Sequence, residues 1–156
     1  MSGVLTEILW GILALMALAA AVWDIRTRTI PNSLNAAIAV LAIPFWFASG
    51  LAIWPDMAIQ VGIGAAVLGL FAIAFAMGAM GGGDVKFVAA IALWLPPAAV
   101  LALLVIMSLA GGALTLVMLV RHRLTRAQHK LEIPYGVAIA VGGMWLIAER
   151  FLNQFA

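Results

Sequence analysis

The sequence predicts an all-α polytopic membrane protein, a bundle of six transmembrane helices with a broken, short fourth helix. Three observations carry this. Of 156 residues, 67% are hydrophobic and 9% charged, where a soluble domain has about a quarter charged. The apolar residues form long continuous runs, not the alternation of lipid-facing β-strands, so the spans are helices. The polar residues collect in short segments between those runs. No stretch is left over for a soluble domain, so residues 1–156 read as one membrane-embedded domain.

Composition also excludes several function classes. The chain has no cysteine, which removes a disulfide framework, a thiol nucleophile and any cysteine-based zinc site. A net charge of +2 is too small to argue for nucleic acid as a partner. His122 and His129 lie seven apart with no close third ligand, so neither a metal nor another cofactor is expected.

The first helix is expected over roughly Val4 to Trp23. A cleaved signal peptide would open with positive charge and close on small residues. Here Glu7 is the nearby charge and the run ends in Trp23-Asp24-Ile25-Arg26, so the helix is expected to be retained. Asp24 to Asn32 forms the first polar loop, with Pro31 forcing Ile30 towards extended geometry. Asn32 or Ser33 can cap a second helix running to about Trp54, kinked at Pro44. After the Pro55-Asp56 turn, a third helix covers Met57 to Met80, with Gly62, Ala66 and Gly69 offering surfaces for close packing.

Gly81-Gly82-Gly83 then breaks the helix, each glycine costing about 1 kcal/mol against alanine in a helix interior. A single span from Phe87 to Val120 would measure about 50 Å against a hydrocarbon core of roughly 30 Å. Pro96-Pro97 therefore divides a short fourth helix, Asp84 to Leu95, from a fifth, Ala98 to Val120. The basic segment Arg121 to Lys130 follows, and a last helix runs from about Pro134 to Phe151.

Charge tests the helix count. With six helices, Arg26, Arg28, Lys86, Arg121, Arg123, Arg126 and Lys130 share one face and Arg150 lies on the other. The positive-inside rule makes the basic face cytoplasmic and places both termini outside. Five helices would split the basic loops between the two faces.

A carboxylate at membrane depth is expensive and points to function with a partner to be named. Of six acidic residues, Glu7, Asp56 and Glu149 fall towards the outer face, and Asp24, Asp84 and Glu132 towards the inner one. Asp24 and Asp84 each sit where a membrane helix meets a cytoplasmic loop. Two carboxylates close together in a low-dielectric site tend to share one proton, which suits them to activate water and protonate a leaving amine. Simpler readings stay open. Asp24 can pair with Arg26 or Arg28, Glu132 with Lys130 or an arginine, the glycines can form only a tight turn, and Lys86 can be an interfacial anchor.

These residues resemble a known family. Gly81-Gly82-Gly83-Asp84, extended by Lys86, fits the Gly-x-Gly-Asp-x-Lys motif of intramembrane aspartic proteases. Asp24 to Asn32 is similar to the Asp-x-x-x-x-x-Ile-Pro-Asn segment of type IV prepilin peptidases, and Ile133-Pro134-Tyr135-Gly136 to their last-helix signature. The resemblance implies an enzyme of the bacterial cytoplasmic membrane that cuts the leader from prepilins or pseudopilins at the cytoplasmic face. It implies Asp24 and Asp84 as the catalytic pair, Gly81 and Gly83 as shaping the loop, and Lys86 as a motif residue of unassigned role. Longer members carry a cysteine-bearing loop associated with zinc and N-methylation. The first loop here is short and lacks cysteine, which resembles the branch serving Flp or tight-adherence pili, so N-methyltransferase activity is not expected. Arg26, Arg28, Asn32, Pro134, Tyr135 and Gly136 are candidate contacts to substrate or lipid. The rival readings are a small proton- or ion-coupled transporter and a non-catalytic pilus assembly subunit. The oligomeric state is not legible in the sequence.

Overall fold

A computed structural model describes residues 2–125 and 133–153. Arg126, His129, Lys130 and Glu132 lie outside the described residues. The six expected helices are present: α1 (Ser2–Thr27), α2 (Asn32–Ala48), α3 (Ala58–Ala76), α4 (Gly82–Ala92), α5 (Pro97–Thr125) and α6 (Tyr135–Asn153). An irregular turn, Ile53–Met57, joins α2 to α3. Among the described residues there is no strand. Among the described residues four helical segments are long and apolar enough to cross a membrane: α1, α3 with the turn before it, α5 and α6. The chain is a multi-pass membrane protein.

Helix α4 is the centre of the bundle. It packs against α2, α3 and α6, while α6 also packs against α1 and α5. Every residue of α4 from Asp84 to Ala92 is buried except Lys86. Eleven residues rise only about 16 Å, so α4 does not need to match the bilayer itself; its neighbours surround it. The space beyond its C-terminal end is filled by aromatic rings. Trp94 stacks on Phe45 at 4.8 Å, and Trp10 meets Phe45 edge-on at 5.0 Å. The Trp94 indole donates to the Ile38 carbonyl at 3.0 Å and the Trp46 indole to the Leu93 carbonyl at 2.8 Å. The second bond satisfies a carbonyl at a helix end, where intrahelical partners run out.

Several helix ends differ from expectation, each for a local reason. Helix α1 continues one turn past Trp23, so Asp24 belongs to its last turn. Arg28 then closes the helix in the left-handed region (φ 56°), its N–H bonded to the Asp24 carbonyl at 2.9 Å. Helix α2 runs through Pro44 but stops at Ala48, well short of Trp54, because Gly50 (φ 74°) turns the chain and Leu51 N–H reaches back to the Trp46 carbonyl. Helix α3 ends in the same way at Gly78 (φ 71°), where Ala79 N–H bonds the Ala74 carbonyl. This is the αL helix stop that glycine favours. The glycine triplet is therefore not the terminator. Gly81 is extended (φ −72°, ψ 144°), and Gly82 and Gly83 open α4.

The expected close-packing positions on α3 are also different. Side chains at Gly62 or Gly69 would meet open space, whereas one at Gly64 would collide with Leu93 of α4. The expected side-chain cap at Asn32 or Ser33 is absent: Pro31 stands at the cap position with no such bond, and Asn32 is used elsewhere.

Candidate active site

The C-terminal end of α1 and the N-terminal ends of α2, α4 and α6 meet at one end of the bundle, and the site is built there. Asp24 lies in the last turn of α1 and is 3% exposed; Asp84 lies in the first turn of α4 and is 8% exposed. Among the described residues they are the two buried carboxylates. Each lies within electrostatic range of the other. The backbone N–H of Gly136, at the start of α6, faces both, and that of Val137 faces Asp24. These amides approach without completing the shell, since Oδ2 of Asp24 is buried without a hydrogen-bond partner. The Arg28 guanidinium is also within electrostatic range of Asp24.

The Ile30-Pro31-Asn32 segment is the wedge that sets this geometry. Ile30 is buried. A Cβ on Gly83 would stand 3.2 Å from the Ile30 nitrogen and 3.3 Å from its oxygen. A Cβ on Gly136 would stand 2.7 Å from Ile30 Cδ1 and 2.8 Å from Oδ2 of Asp24. A side chain at Gly136 would displace the Ile30 and Asp24 side chains, and one at Gly83 would press on the Ile30 backbone, so glycine suits both close approaches. Gly81 is tight in a different way: a Cβ there would lie 3.0 Å from Oδ2 of Asp84.

Two side-chain bonds tie α2 to the start of α4. Lys86 Nζ donates to Asn32 Oδ1 at 2.8 Å, and Asn35 Nδ2 donates to the Gly83 carbonyl at 3.0 Å. The second holds the peptide just before Asp84. Asn35 was not a sequence candidate. The available signal was its polarity in an apolar helix, three residues after Asn32 and so on the same face.

The remaining sequence candidates divide. Gly136 is buried and stands against Asp24 itself. Pro134 is buried, and the Tyr135 ring lies beside Gly111 of α5. Arg26 is exposed beside Trp23 and Thr27, on a surface separate from the carboxylates. At the opposite end of the bundle Arg150 and Glu7 form a partly exposed ion pair at 3.5 Å, worth at most about 1 kcal/mol at such a surface. Among the described residues no group of three or more His, Cys, Asp or Glu side chains converges as a metal site would require.

A family model described as the type IV leader peptidase family matches residues 11–116. The match runs from α1 into α5 and includes both buried aspartates, the Ile30 wedge and the glycine triplet. No curated protein and no solved structure matches the chain. With more than half of its length matched, this multi-pass membrane protein belongs to the type IV leader peptidase family and is a peptidase.

Proposed function

We propose that the chain is an aspartic endopeptidase in which Asp24 and Asp84 together activate one water. The observation that carries this reading is the burial of two carboxylates from distant helices within electrostatic range, with Gly136 against both. One carboxylate accepts a proton as the water oxygen attacks the scissile carbonyl. The other, protonated, donates a hydrogen bond to the developing oxyanion and then a proton to the leaving amine. The C–N bond breaks, the acid and amine products leave, and the pair is returned to its shared-proton state. Gly81 and Gly83 shape the approach to Asp84, and Lys86 and Asn32 hold it in register.

The substrate is the leader junction of a type IV prepilin or pseudopilin, of the Flp or tight-adherence class. The lack of cysteine supports the short branch, without N-methyltransferase activity. The enzyme lies in the bacterial cytoplasmic membrane and cuts on the cytoplasmic side, with both termini outside. This orientation rests on the basic residues Arg26, Arg28, Lys86, Arg121 and Arg123, which sequence and helix order assign to the aspartate end. Exposed arginines there meet anionic lipid head groups.

The test is processing of a tagged Flp-type prepilin in membranes by wild type, Asp24→Asn and Asp84→Asn, with membrane levels matched. Each variant is expected to lose about 10²-fold or more of the cleavage rate. Wild-type cleavage by either variant rejects the dyad.

A further inference from the structure

A groove of about 520 Å³ runs between α2 and α3 with α4 as its floor. Its construction is regular. Helix α2 contributes Asn32, Asn35, Ala36 and Ala39, the i, i+3, i+4, i+7 face of a helix. Helix α3 contributes a face of the same spacing from Val61 to Leu68, and α4 one from Lys86 to Leu93. Seven residues of helix give the groove a length of about 10 Å, or two helical turns. The polar residues Asn32, Asn35 and Lys86 all lie at its end nearest the aspartates, and the rest is lined by apolar residues, mostly alanine and glycine. Walls of small residues let a helix backbone approach closely.

The decisive group is Asn35. It is 4% exposed and lines the groove. Its Nδ2 is committed to the Gly83 carbonyl, and its Oδ1 is buried without a partner. An unpaired acceptor at membrane depth calls for an N–H donor. The first turn of a helix offers up to four N–H groups with no intrahelical bond. An acyl chain offers none.

We infer that this groove seats the first two turns of the hydrophobic helix that follows the leader junction of a prepilin, and that the Asn35 side chain, whose Oδ1 is covered in this structure, turns on docking to accept a backbone N–H from the first turn of that helix. The inference rests on the peptidase reading above and adds where the substrate lies. Lys86 and Asp84 are two residues apart, about 200° around α4, so the groove and the carboxylates occupy opposite faces of that helix. The chain between them passes over the N-terminal end of α4. Crossing a helix about 10 Å wide takes roughly three extended residues. The scissile bond is therefore expected about three residues before the docked helix begins.

The test uses the absence of cysteine in this chain. Single cysteines are placed at Ala39 or Leu68 in the groove, and at exposed Leu109 on α5 as a control. A Flp-type prepilin carries one cysteine in the first two turns of its hydrophobic helix, and disulfide formation is induced in membranes. Cross-linking at positions 39 and 68 but not 109 is expected. In parallel, Ala65→Phe, which fills the groove, is expected to raise KM about tenfold with kcat within about twofold, the pattern of lost ground-state binding. Substrate cross-links at 109 alone, or at all three positions equally, overturn the inference. So do cross-links between copies of the enzyme in place of substrate, and wild-type KM in Ala65→Phe. Each of those results leaves wild-type cleavage, and hence the peptidase reading, standing. Failure of wild type to cut any prepilin removes that reading and the groove assignment with it.

Discussion

Lys86 donates a 2.8 Å hydrogen bond to Asn32, joining two motifs that lie 54 residues apart in the chain. The bond fastens the start of α4 to the start of α2 and leaves the ammonium on the face of α4 away from Asp84. Lys86 is thus a positioning residue in this geometry. Lys86→Met and Asn32→Ala are each expected to lower kcat/KM about tenfold, and the double variant to lose less than the two combined. A coupling on the order of 1 kcal/mol is expected, because the bond is exposed and its charge partly screened. Lys86→Arg should recover part of the loss. Fully additive single losses would show that the two residues act separately.

Gly136→Ala would force a methyl group onto Ile30 and the Asp24 carboxylate. Overpacking of this kind costs about 1–3 kcal/mol, and the displaced carboxylate should abolish most cleavage. Gly83→Ala meets the Ile30 backbone and should behave alike. Gly69→Ala meets open space inside α3 and should be neutral or stabilising by up to about 1 kcal/mol. Thermal melts in micelles alongside processing rates separate the three. A Gly136→Ala enzyme of wild-type rate would contradict the geometry of the site.

Arg28 holds a left-handed backbone conformation, φ 56°, at the end of α1. That conformation costs a non-glycine residue about 1–2 kcal/mol. Arg28→Gly should therefore raise the melting temperature, unless the guanidinium's attraction for Asp24 offsets the gain. Arg28→Asn, which tolerates the same conformation and lacks the charge, divides the two effects. A fall in stability for both variants would mean that the charge dominates.

Trp94→Phe keeps the aromatic stack on Phe45 but removes the indole donor to the Ile38 carbonyl. A loss of about 1–3 kcal/mol is expected, since a buried acceptor loses one partner. Trp94 lies beyond the far end of α4 from Asp84, so kcat should change less than stability. Equal losses in both would indicate that α4 shifts along its length.

Residue type and order alone determined the class of this protein, the number of its helices and the two polar junctions at Asp24 and Asp84. Each follows from local composition: a continuous apolar run reports a helix in lipid, and an ionisable residue among such runs is conspicuous by its cost. Helix ends were less legible. Gly81–Gly83 reads as the break and Gly78 as helix interior, yet positive φ at Gly78 stops α3, while the triplet opens α4 and admits Ile30. Only the tertiary structure decided that Gly136 stands against Asp24, that Ile30 separates Gly83 from Gly136, and that Lys86 binds Asn32 while Asn35 holds Gly83. The physical reason is that hydropathy describes how each residue meets its solvent. Close approach depends on which distant residues share one small space, and in this bundle the most buried helix is also the shortest.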